Sequence, residues 1–122
     1  MRIKFFIAVL LTILICGCYY DIEEQLYGLN APCDTSNVTY SATIVPILQN
    51  SGCLGCHSGV SASGSIRLDS YNYLITQATN GKLYGTITHS TGYIPMPQGG
   101  NKMLPCDISK IKAWIDAGTP NN

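Results

Sequence analysis

The chain has 122 residues, with seven Lys/Arg against seven Asp/Glu and a formal net charge of zero. That balance supplies no basic face of the kind nucleic acid demands, and the length suits one small domain plus a short extension. Six cysteines in so short a chain are the feature to explain.

Arg2 and Lys4 precede the apolar run FFIAVLLTILI, residues 5–15, which then meets CGC. A positive start, a short apolar core and small residues at its end predict a secretory signal peptide over 1–17. The run is too short for a comfortable membrane span, which needs ~20 apolar residues. Its exit, LICGC, resembles a bacterial lipobox, and the resemblance implies cleavage before Cys18 and lipidation of that cysteine. Cys16 fits badly as the modified residue because bulky Ile15 precedes it. Acyl chains on Cys18 would hold the protein to a membrane without spanning it.

Residues 18–32 then read as a lipidated N-terminus and acidic tether, with Asp21, Glu23 and Glu24, ending in the turn signal NAP. CYYDIEEQLYG also resembles the start of envelope lipoproteins from the Bacteroidetes group, where acids after the cysteine can direct surface export; a solvated leash is the simpler reading. The expected location is the cell envelope, lipid-anchored on the periplasmic face or the cell surface. Both phenylalanines leave with the signal, so the domain relies on one Trp, several Tyr and rather few large aliphatic residues. Small domains with thin cores usually need a metal, a disulfide or a cofactor.

From 33 to 122 the pattern is helical with long loops. TYSATIVPILQN, residues 39–50, groups Ile44, Val45, Ile47 and Leu48 with Thr39 or Ser41 as N-cap, and Pro46 makes this helix short or bent. HSGVSASGS is loop. DSYNYLITQ predicts a helix capped by Asp69 or Ser70, and GKLYGTITH a weaker one. STGYIPMPQGG, with two prolines and three glycines, cannot hold regular structure. CDISKIKAWIDAG places Ile108, Ile111, Trp114 and Ile115 on one face, with Asp107 as N-cap and Gly118 as the stop. The fold class expected is all-α, three to five short helices.

Between the first helix and the loop stands SGCLGCHSGV, residues 51–60. C-x-x-C-H is the c-type haem attachment pattern. Two thiols three positions apart on one turn, Cys53 and Cys56, can reach the two vinyl groups of a single porphyrin edge. The next residue, His57, then presents its imidazole to the iron. Three other chemistries compete. A thioredoxin-like redox pair belongs near a βαβ pattern, and none is present. Zinc needs four ligands, which Cys53, Cys56 and His57 with Cys106 or His89 could supply, but exported proteins rarely keep thiols reduced. A Cys53–Cys56 disulfide would be strained and leave His57 idle. Export and the motif agree on haem, because haem c is attached outside the cytoplasm.

With IVPILQNSGCLGCHSG, LDSYNYL, GKLYGTITH, YIPMPQGG and CDISKIKAWIDAG in that order, residues 38–120 resemble a class I monohaem cytochrome c domain of the bacterial lipoprotein variety. The resemblance implies one covalent haem c around which short helices pack, and a methionine from a later loop opposite His57 on the iron. Met96, Met103 and His89 are the candidates. Met96 is expected, because Pro95 and Pro97 stiffen its loop, whereas Met103 reads as a core filler and His89 as a polar residue at a helix end. The family often has a proline soon after the motif whose carbonyl orients the histidine; none follows His57 closely, which leaves its N–H acceptor unassigned. Arg67, Tyr71 and Tyr73 could meet haem propionates or serve ordinary surface roles. Lys102, Lys110 and Lys112 read as the solvated side of a helix rather than a docking patch.

With Cys16 removed, Cys18 lipidated and Cys53 with Cys56 on haem, Cys33 and Cys106 remain, and an exported domain is expected to join them. Two protein axial ligands leave iron no open position. The expectation is therefore a membrane-held single-electron carrier, or an electron-entry subunit, serving redox partner proteins of the envelope rather than an enzyme. A haem-based ligand sensor and a lipoprotein merely braced by haem are the alternatives.

Overall fold

The structure, a computed structural model, describes residues 33–122. The signal peptide expected over 1–17, the lipidation site Cys18 and the tether 18–32 lie outside the described residues. Among the described residues all regular structure is helical, as the sequence pattern predicts, and no helix is long and apolar enough to cross a membrane. Five α-helices follow in order: α1 Val45–Asn50, α2 Cys53–Cys56, α3 Tyr71–Thr79, α4 Lys82–Ile87 and α5 Pro105–Asp116. A π-helical turn, Tyr40–Ile44, runs straight into α1, and a 3-10 turn, Ser63–Ser65, sits in the loop after α2.

The π turn is the form taken by the bend expected at Pro46. Proline has no N–H for the carbonyl four residues back, and its ring presses on that carbonyl. The chain widens just before it: the Ile44 N–H bonds the Thr39 carbonyl, five residues back, at 3.1 Å. Thr39 rather than Ser41 is the cap, its hydroxyl accepting the Ala42 N–H at 3.2 Å.

Of the caps expected for the later helices, Ser70 stands where expected, whereas Asp69 and Asp107 do not cap. Ser70 occupies the N-cap of α3 in extended backbone but its hydroxyl makes no capping bond, and the Asp69 carboxylate is drawn instead to Arg67 and the Gly59 N–H. Asp107 is not the cap of α5, which begins at Pro105 after Leu104. Proline suits a first helical position, where its missing N–H has no intrahelical partner. Asp107 falls within the first turn, where the helix dipole favours a negative charge.

The helix ends are regular. After α5 the Gly118 N–H bonds Ile115 at 3.0 Å and the Thr119 N–H bonds Trp114 at 2.9 Å, a Schellman closure on a glycine with φ 87°. After α4 the His89 N–H bonds Thr86 at 3.2 Å and the Ser90 N–H bonds Gly85 at 3.0 Å, the same closure on a histidine.

The core is built from one face of each longer helix. Ile44, Leu48, Leu74, Ile111 and Trp114 are fully buried, with Ile108 and Ile115 packed half-buried against them. The π turn packs on α5, α3 on α4, and α4 on α5. The one tryptophan is satisfied as well as buried: its indole N–H donates to the Pro120 carbonyl at 2.9 Å. Cys33 and Cys106 form a disulfide, so the start of the described chain is bonded to the first turn of α5.

Candidate functional site

The C-x-x-C-H segment is shaped by one backbone reversal. Gly52 closes α1 with φ 72°, and a Cβ there would meet nothing within 4 Å, so the requirement is conformational rather than spatial. The single turn α2 then sets Cys53 and Cys56 three positions apart, and the His57 N–H bonds the Cys53 carbonyl at 2.9 Å. Both thiols are free; Cys53 is half-buried and Cys56 exposed. Burial pushes the Cys53 thiol above its ordinary pKa, which keeps it protonated.

His57 is held by the loop that follows it. Its Nδ1 lies 3.0 Å from the Ile66 carbonyl. A carbonyl can only accept, so Nδ1 carries the proton, and in the neutral ring the lone pair is then on Nε2. The His57 carbonyl in turn accepts the Leu68 N–H at 2.8 Å. Asp69 secures this loop: one carboxylate oxygen takes the Gly59 N–H at 2.9 Å and Arg67 Nη2 at 2.8 Å, the other Arg67 Nε at 3.0 Å. The Arg67 fork, and after it the Gly59 N–H, hold the Asp69 pKa down to about 2. Arg67 also bonds the Tyr73 hydroxyl and lies 4.1 Å from the centre of that ring.

Met96 lies in the irregular segment between α4 and α5, with Pro95 and Pro97 beside it and a cis bond to Pro97. Its N–H donates to the Thr86 carbonyl at 3.0 Å, and its carbonyl accepts from His89 Nε2 at 3.0 Å. The Tyr93 ring of the same segment is seated on Gly85, where a Cβ would come within 2.6 Å of it.

These pieces meet at one cavity of about 360 Å3, whose lining includes Cys53, Cys56, His57, Ile66, Ile87 and Met96. Ligand pockets generally span about 300–1,000 Å3. A side chamber of about 70 Å3 shares Cys53, His57 and Met96 with it and is lined also by Gln77, whose Oε1 is buried without a hydrogen-bond partner. Exposed Cys56 and exposed Ile94 line the main cavity too, so it reaches the surface there.

Cys53, Cys56, His57 and Met96 are thus brought together, and Cys33 with Cys106 are brought together elsewhere. Of the other candidate ligands, Met103 lines the cavity from a buried core position, whereas His89 lines neither chamber. A zinc centre loses its fourth ligands, since Cys106 is bonded to Cys33 and His89 to the Met96 carbonyl. Among the described residues no group of three or more His, Cys, Asp or Glu is arranged to hold a metal ion. No strand is present among them to build a thioredoxin-like frame.

Arg67 and Tyr73 satisfy each other, and the Tyr71 hydroxyl donates to the Thr119 carbonyl at 2.7 Å. Lys112 is paired with Asp116. Sequence reasoning missed the Ile66 carbonyl, the Arg67–Asp69 fork and Gln77. The oppositely charged pair two residues apart, in a loop with no other charge, was the available signal for the fork. No family model, curated protein or solved structure matches the chain.

Proposed function

We propose that the protein is a monohaem c-type cytochrome with a class I cytochrome c-like domain. It is exported, held to the cell envelope by lipid on Cys18, and exchanges single electrons with redox proteins there. The observation that carries this reading is that one cavity is lined at once by two free thiols on a single turn, a histidine whose Nδ1 is engaged by the Ile66 carbonyl, and Met96.

The residues present fit such a group. Cys53 and Cys56 would hold it through thioethers, each thiol adding across a vinyl group with sulfur to one carbon and hydrogen to the other. His57 Nε2 and Met96 Sδ would hold the iron. Haem c, when bound, would supply one-electron chemistry at iron, and a thioether together with an imidazole on the iron would favour the ferrous state. The Ile66 carbonyl fixes the imidazole tautomer and its plane. Ile66, Ile87 and Met103 keep the interior apolar, while the opening beside Cys56 and Ile94 leaves an edge accessible to a partner. Fastening Met96 at both backbone groups supports a carrier over a ligand sensor, which needs that ligand to leave.

The test is expression of the full chain in a host that matures haem c, followed by a pyridine haemochrome assay and by oxidised and reduced spectra. Covalent haem is expected, together with the weak near-infrared band of a sulfur–iron(III) bond. Met96→Ala should abolish that band and open the ferrous iron to carbon monoxide, and Cys18→Ser should accumulate as uncleaved precursor. Absence of a haem c spectrum from the matured parent overturns the reading.

A further inference from the structure

Four helices close on a left-handed residue: α1 on Gly52 (φ 72°), α3 on Gly81 (φ 79°), α5 on Gly118 (φ 87°) and α4 on His89 (φ 56°). For a residue with a Cβ that region is strained, which is why glycine or asparagine usually fills it. The bonds that close α4 come from backbone N–H groups, so glycine would make them equally well. Glycine would not supply the imidazole. Strain that persists at one residue, where the same turn elsewhere is made without it, calls for a role for the side chain.

That role lies seven residues on. The Thr86 carbonyl accepts both the His89 N–H at 3.2 Å and the Met96 N–H at 3.0 Å, and His89 Nε2 donates to the Met96 carbonyl at 3.0 Å. Met96 is therefore fastened on both sides of its Cα to the last turn of α4. Residues 90–95 between the two are exposed, and their one seat on α4, the Tyr93 ring against Gly85, lies three residues short of Met96. We propose, resting on the haem reading above, that His89 is a positioning residue that holds the Met96 thioether at the iron. A thioether sulfur is a weak ligand with no second polar atom by which to be oriented, and fixing its backbone is the available means.

A helix cap and a clamp on Met96 give different results in one variant. As a cap alone, His89 could be replaced by glycine with the backbone relieved and iron ligation untouched. As a clamp, His89→Gly keeps or raises resistance to denaturant, yet the ferrous protein binds carbon monoxide about tenfold faster or more, and the sulfur–iron(III) band fades at lower temperature. Should His89→Gly fail to accumulate, His89→Asn, which tolerates the same φ with a shorter side chain, is read by the same two criteria. A parent-like band and carbon monoxide rate overturn the role of His89 and leave the haem reading standing. A parent protein without haem c overturns both.

Discussion

The two segments that line the cavity hold their key residues by different means. In residues 51–69 the side chain itself is fastened: His57 has a second ring nitrogen, and the Ile66 carbonyl takes it, with the Arg67–Asp69 fork behind. In residues 82–103 the side chain of Met96 offers nothing to fasten, and the hydrogen bonds go to its backbone N–H and carbonyl instead. The chemistry of each residue decides where the protein must grip it. An imidazole can be oriented at the ring; a thioether can be oriented only through the chain that carries it. The second kind of grip is the more easily broken by changes some distance from the residue held.

The largest change expected comes from the disulfide, which anchors the far end of the Met96 segment just beyond Met103. Cys33→Ser with Cys106→Ser opens a covalent loop of sequence separation 73, and the chain-entropy relation puts the loss at about 4 kcal/mol. Equilibrium denaturation under oxidising conditions measures it. A loss well under 1 kcal/mol would show that the bridge adds little to a chain already held by its core.

Gly85→Ala attacks the Met96 segment from α4, since the new Cβ would meet the Tyr93 ring. Overpacking of this kind costs about 1–3 kcal/mol. Amide exchange should quicken at Met96 and stay unchanged at Leu68, whose N–H belongs to the His57 segment. Equal acceleration at both would erase the distinction drawn between them.

Met103→Leu is expected to be milder. The side chain is buried and borders the cavity, but the volume is conserved, and such swaps usually cost less than about 1.5 kcal/mol. A haem-loaded Met103→Leu protein should keep its sulfur–iron(III) band. Loss of the band would move the ligand from Met96 to Met103.

The smallest effect concerns Asp69 and appears mainly in acid. Its pKa is held to about 2 in the fold against an ordinary value of 3.8. A depressed carboxylate contributes stability that is present above the unfolded value and is lost as pH falls through the folded one. Denaturation midpoints at about pH 5 and about pH 2 should therefore differ less in Asp69→Asn than in the parent. The Nδ1–H proton of His57 should also exchange faster in the variant, because the loop carrying the Ile66 carbonyl has lost its fork.

What the sequence discloses about this site follows from how local each constraint is. Cys53, Cys56 and His57 are legible because their geometry is set within one turn. Met96 is legible because two prolines flag a stiffened loop, and the Cys33–Cys106 pair because the uses expected of the other cysteines leave these two over. The Ile66 carbonyl is not legible: every residue has a carbonyl, and which one faces His57 depends on the path of eight intervening residues. Asp69 reads as a helix cap on its own, and only the neighbouring Arg67 draws it away. Asp107 reads as a cap for the same reason, although Pro105 two residues earlier already marks the first helical position. The all-helical class and the buried face of α5 follow from apolar spacing. The π turn follows from Pro46 only once the chain before it is seen to widen.

The Cys33–Cys106 bond also decides how the domain responds to tension. A pull between residue 33 and the C-terminal end passes from Cys33 through the sulfur bridge to Cys106 and along α5. Residues 34–105, both cavity segments among them, lie off that path. Stretching the chain between those points would strain α5 and the tail pinned beneath Trp114, and would leave His57 and Met96 unloaded until the bridge is reduced.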